Sequence, residues 1–126
     1  MQVSPEIFER FPQYNAIVGV VSNISGQPSD EVSNQILISA EDFIKNKIAD
    51  LPLDEFAEVT TWREAFSSFG VKPRVARSSV EALARRAEAG LPRINWLTDV
   101  YNAISVKHLL PIGGENFDKY VGAPIL

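Results

Sequence analysis

An α+β fold is what the sequence predicts, and three observations carry it. Residues 16–24, AIVGVVSNI, form a short unbroken apolar run rich in β-branched side chains, which reads as a strand buried on both faces. Residues 109–126, LLPIGGENFDKYVGAPIL, read as strand, Gly-Gly turn and strand, with Pro111 and Pro124 confined to edges or turns. Between these extended pieces lie stretches with helical spacing and recognisable start and stop signals.

The elements follow in order. Residues 4–11 suit a short helix stopped by Pro12. After the first strand and a Gly26-Gln27-Pro28 turn, Ser29 or Asp30 caps a long helix. Its inward face carries Val32, Ile36, Ala40 and Phe43, widened by Leu37, Ile44 and Ile48. Residues 51–59 read only as a connector. Thr61 and Glu64 have capping-box spacing for a short helix that places Trp62, Phe66 and Phe69 on one side. Aromatics so spaced read as core, with base stacking the alternative. Gly70 is expected to end that helix in a left-handed conformation, and Pro73 to prevent its resumption. Ser78 and Glu81 repeat the capping box for a helix bearing Val80, Leu83 and Ala87 inward, ended by Gly90 and Pro92. Arg85 and Arg86 fall in its C-terminal half, where the helix dipole alone accounts for them.

The next helix is expected from about Pro92 to Lys107, with Ile94, Leu97, Tyr101, Ile104 and His108 on one face. Asn95, Asp99 and Asn102 sit four and three residues apart on another face, an arc of roughly 60° at ~100° per residue. A carboxylate between two carboxamides donates and accepts in fixed directions. Such a stripe either tethers a neighbouring loop, is simply solvated, or holds a ligand's ammonium and hydroxyl groups. His108 reads as a C-terminal cap or packed residue rather than a general base.

Composition narrows the functional classes. The 126 residues suit one domain or a piece of one, with 45% hydrophobic and 22% charged residues. The chain has no apolar run of membrane-spanning length, and MQVSPEIFER lacks the order of a signal peptide, so a cytoplasmic protein without a membrane partner is expected. With no cysteine, disulfides, thiolate metal sites and thiol nucleophiles are excluded; one histidine argues against an imidazole metal site, and no cofactor is expected. The net charge of −4 argues against nucleic acid, but its distribution is uneven. Acidic residues dominate before Thr60, whereas Arg63, Lys72, Arg74, Arg77, Arg85, Arg86 and Arg93 crowd the middle. That region reads either as ordinary solvated faces or as an RNA-facing patch. The two extended pieces leave a sheet short of strands, so either a partner chain, as in a homo-oligomer, or a further C-terminal portion is expected to complete it.

Three motifs in succession carry a resemblance. Trp62, Arg63, Phe66, Gly70 and Pro73 form a W-R-x-x-F-x-x-x-G-x-x-P segment; Ser78, Ser79, Glu81, Leu83 and Arg86 form S-S-x-E-x-L-x-x-R; Ile94-Asn95, Asp99, Asn102 and Pro111 follow in order. In these the chain resembles the B3/B4 domain of the bacterial phenylalanyl-tRNA synthetase β subunit, which clears tyrosine mischarged onto the phenylalanine tRNA. PIGGENFD is closer still to free-standing B3/B4 proteins, described as RNA-binding modules. The resemblance implies an α+β fold, a mixed β-sheet layered with helices, with residues 1–126 as a single domain or its N-terminal portion. It implies tRNA or another RNA as partner and an amino-acid moiety as ligand.

It implies a pocket formed by Asn102, with Asn95 and Asp99 as substrate-side neighbours; the basic cluster supplies the candidate RNA face, at Lys72, Arg74, Arg77 and Arg93. The family's pocket histidine is replaced at Gly113 or Gly114, and its pocket glutamate comes from a later part of the domain. The favoured expectation is an RNA-binding module. An extension is an aminoacyl-tRNA deacylase in which Asn102 and the amides of Gly113 and Gly114 position water and stabilise the oxyanion. A third is an amino-acid sensor without RNA.

Overall fold

The computed structural model describes residues 1–72 and 74–126. It is helical, 50% helix against 2% strand, with no sheet among the described residues. The expected α+β architecture with a mixed sheet is therefore corrected. Residues 16–24 are extended but lie alone: Ile17 is 100% and Val20 76% exposed, and no backbone bond joins the run to another extended segment among the described residues. Apolar β-branched composition makes a segment able to pair; a sheet also needs a neighbour for its N–H and C=O groups. The expected C-terminal hairpin is likewise absent. Its place is taken by a 3₁₀ turn, Phe117–Lys119, and the one β pairing described is a parallel bridge between Gln2 and Ile125.

Two units divide the chain. The first joins Met1–Ser25 to Glu115–Leu126. It holds helix α1, Pro5–Arg10, which begins with proline in its first turn, and the bridge at Gln2 and Ile125. The second, Gly26–Gly114, contains the buried core.

In that second unit α2 spans Glu31–Asp50 and starts on a reciprocal cap: Asp30 accepts from the Ser33 amide at 2.8 Å while Ser33 Oγ accepts from the Asp30 amide at 3.1 Å. Its buried row is Ser33, Leu37, Ala40 and Ile44, rotated from the face expected. Val32 and Phe43 are 59% and 39% exposed. A polar residue, Ser33, occupies the row where spacing favoured an apolar one, and burial there is made tolerable by hydrogen bonding.

A 3₁₀ turn at Leu53–Glu55 leads into α3, Ala57–Ser68. Thr61 is thus inside the helix and its expected cap does not form; Phe56 precedes the first turn and contributes a buried ring instead. Only Val59 of α3 is buried, so Trp62, Phe66 and Phe69 are not core residues. Trp62 and Phe66 lie against each other, ring centres 6.1 Å apart. Gly70 does end the helix with φ +77°, and the Val71 amide closes back on the Phe66 carbonyl. The expected role of Pro73 falls outside the described residues.

Helix α4, Ser79–Ala84, is capped by Ser78, whose hydroxyl accepts from the Glu81 amide at 3.3 Å. The turns that follow run to Gly90, where φ is +99°. Helix α5, Trp96–His108, starts four residues later than expected because Asn95 is its cap, accepting from the Thr98 amide at 2.9 Å. It ends at Leu109 in the left-handed region, φ +53°, held there by burial of its side chain. His108 is an exposed last-turn residue, neither cap nor packed.

Helix α5 packs on both α2 and α4, and Leu37, Ala40, Ile44, Val80, Leu83, Ala103 and Val106 close the core. The α2–α5 contact is pinned by a fully buried carboxylate. Asp99 accepts from Ser33 Oγ at 3.1 Å and from the Ile94 amide at 2.8 Å. Asp99→Ala should therefore lower unfolding free energy by about 2–4 kcal/mol and Ser33→Ala by about 1–2 kcal/mol. Urea denaturation of both variants checks this; equal small losses would show that the carboxylate does not carry the contact.

Candidate functional site

A cleft of about 350 Å³ opens between α4, the strap entering α5, and α5 itself. Ala82 and Leu83 of α4, Pro92 and Ile94 of the strap, and Ile112 give it apolar walls; Ser79, Arg86, Thr98, Tyr101 and Asn102 supply polar groups. Small-ligand sites have this make-up, and the volume is at the small end of their range.

The expected stripe of Asn95, Asp99 and Asn102 separates into three roles. Asn95 uses its side-chain oxygen as the α5 cap. Asp99 is the tether just described. Asn102, next on the helix, is only 7% exposed yet its carboxamide makes no hydrogen bond among the described residues. No described buried side-chain polar atom is sealed without a partner, so this carboxamide opens onto the cleft. Gly114 lies beside the same region: a Cβ built there would come within 3.1 Å of Tyr101 Cε1, so glycine allows the chain to run against the ring. Gly113 has open space around it.

Arg86 is the lining residue that spacing did not single out. It is exposed and in no ion pair among the described residues. The available signal was its place three residues after Leu83, on the expected helix, where dipole compensation already sufficed as an explanation; in the structure it lies in the turn just past α4.

Most other arginines are engaged. Glu81, fully buried, accepts from Arg63 Nη2 at 2.7 Å and from Arg85 Nε at 3.0 Å, with Arg77 Nε at 3.5 Å. Asp54 accepts from Arg63 Nη2 at 2.9 Å and from Arg85 Nη2. Glu41 receives the Leu91 amide at 2.7 Å and the Arg93 guanidinium, which also bonds Asn34 and the Leu91 carbonyl. Of the residues expected to face RNA, Arg93 thus secures the strap to α2, Arg77 leans on Glu81, and Lys72 and Arg74 are exposed without an ion pair among the described residues. No group of three His, Cys, Asp or Glu side chains among the described residues is placed to hold a metal ion.

The second unit is a helical domain with a small cleft of mixed polar and apolar lining beside α4 and α5. The chain belongs to the B3/4 domain family, which matches residues 61–126 and so spans α4, α5 and the whole strap between them. Membership ties it to the phenylalanyl-tRNA synthetase type of domain. No curated protein matches the chain, and no solved structure does. No helix among the described residues is long and apolar enough to cross a membrane.

Burial pushes the carboxyls of Glu81, Glu41 and Asp54 up, but their guanidinium partners outweigh it, and all three lie below their ordinary values of 4.5, 4.5 and 3.8. A depressed folded-state value means stability that is fully present above the unfolded value and lost as pH falls through the folded one. The urea midpoint should accordingly hold steady down to about pH 5 and then fall progressively. Glu81→Gln should flatten that fall while lowering the neutral-pH midpoint; an unchanged acid limb would assign it to other groups.

Proposed function

We propose that the chain is an RNA-binding module whose cleft receives the aminoacyl end of a tRNA. The unbonded Asn102 carboxamide, held at the floor of an amino-acid-sized cleft, is the observation that carries this reading. A carboxamide offers two donors and an acceptor in one plane, suited to an amino group and an ester carbonyl together. The apolar walls at Leu83, Ile94 and Ile112 would take an uncharged side chain. Lys72 and Arg74, exposed and unpaired among the described residues, are suited to phosphates, with Arg77 beside them.

Hydrolysis is the stronger form of this reading. No lining residue is Asp, Glu or His, so general acid–base chemistry has no carrier in the cleft. Deacylation would rest on positioning: Asn102 orients water against an already activated ester, and amides near Gly113 and Gly114 meet the oxyanion. Asn102→Ala should then abolish release of tyrosine or another wrong amino acid from mischarged tRNA while tRNA affinity persists. Binding without release in the wild type would reduce the function to recognition, and loss of neither in Asn102→Ala would remove the cleft from it.

Arg86 favours a second reading, a sensor of free amino acids. Its guanidinium suits a carboxylate, which a free amino acid has and an aminoacyl ester lacks. Calorimetry comparing amino acids with their methyl esters separates the two. For the RNA face, Lys72→Glu with Arg74→Glu should weaken tRNA binding and reduce the salt slope by about two. Unchanged affinity would move the RNA contact elsewhere.

A further inference from the structure

Arg63, Arg77 and Arg85 come from α3, the loop before α4, and α4, and converge on one carboxylate oxygen, Glu81 Oε1, at 2.7, 3.5 and 3.0 Å. Two of them also share Asp54 Oδ1. Clamping α3 to α4 accounts for Arg63 and Arg85, each of which bonds both carboxylates. It does not account for Arg77, whose guanidinium touches Glu81 only at 3.5 Å through Nε and is 44% exposed. Three guanidiniums against two carboxylates leave an excess positive charge, and the two carboxylates differ: Glu81 is sealed, whereas the Asp54 side chain is 59% exposed.

We propose that this cluster is a phosphate-binding site, with the exposed Asp54 carboxylate as its internal occupant. The buried Glu81 holds the forks close together without closing the outward side, so little ordering remains to be done when an anion arrives. A guanidinium fork matches phosphate oxygens in pairs, and the unused Nη donors of Arg77 supply a fork the two carboxylates do not fill. A phosphate presents more oxygens than the single Oδ1 that Arg63 and Arg85 now share. The phosphate is either a diester of an RNA backbone, which rests on the reading above, or a free phosphate, which does not.

The test titrates inorganic phosphate at constant ionic strength, followed by ³¹P line broadening, and separately a short single-stranded RNA by anisotropy. Arg77→Gln should weaken binding about tenfold, the loss of one charge-assisted bond. Asp54→Asn should strengthen it, whereas Asp42→Asn, an equal charge change on an exposed stretch of α2, should not. Arg77-dependent binding of both probes supports the site with RNA as its source; dependence for phosphate alone supports it with a free phosphate. Binding insensitive to Arg77, or strengthened equally by both neutralising changes, overturns it. Release from mischarged tRNA by the wild type is measured in parallel, because release without any phosphate binding by the wild type overturns this site and leaves the cleft reading standing. Unchanged release in Asn102→Ala with Arg77-dependent phosphate binding supports this site and removes the cleft, which separates the two in the other direction.

Discussion

The bonds of Asp99 set the geometry on which the rest of the second unit depends. One oxygen holds the Ser33 hydroxyl of α2, the other the Ile94 amide of the strap, so a single side chain of α5 fixes both neighbours. Ile94 and Thr98 flank the cleft, and Asn102 follows one turn on. The Asn102 carboxamide and the cleft wall opposite it are thereby referred to the same point. Burial of a carboxylate is costly unless every lone pair in use has a donor, and that requirement is what makes the arrangement specific.

Charge is organised on the same pattern of buried acid and exposed base. Glu41 and Glu81 each sit inside while their arginines reach them from the rim. The strap is held at its start by Glu41 and Arg93, and at its end by Asp99. The strap beside the cleft is thus held by two acidic side chains, Glu41 and Asp99, that do not line it.

Several features were legible in the residues because they are local. Asp30, Ser78 and Gly70 mark helix ends through bonds to their own neighbours, and each is found in that role. The stripe's spacing put Asp99 and Asn102 on one helix and allowed a tether, which Asp99 supplies; the pocket role of Asn102 came only from the family resemblance. Asn95 belonged to the same stripe but became the cap, because a helix start can be shifted by four residues at little cost and an asparagine suits either place.

Most of what failed was non-local, the Thr61–Glu64 capping box, lost because α3 starts at Ala57, being the local exception. An apolar run such as residues 16–24 has strand composition, but pairing depends on a partner that no short-range pattern supplies. Trp62 and Phe66 have core spacing on a helix that buries only Val59. Arg86 was missed because a helix C-terminus already explains an arginine. The cluster around Glu81 could not be read from spacing alone, since Arg63 reaches it from α3 and Asp54 joins only through Arg63 and Arg85.

The uncovered run at residues 16–24 bears on colloidal behaviour. It combines bare backbone groups with Ile17, Val20 and Val21 turned to solvent, the makings of an intermolecular template. Like-charge repulsion between molecules is what opposes such contacts, and it vanishes near the isoelectric point of about 5.0. Acidification therefore brings the chain to its stickiest condition before its buried carboxylates take up protons. Precipitation and unfolding are consequently expected at different pH, the first from the extended segment and the second from the helical core.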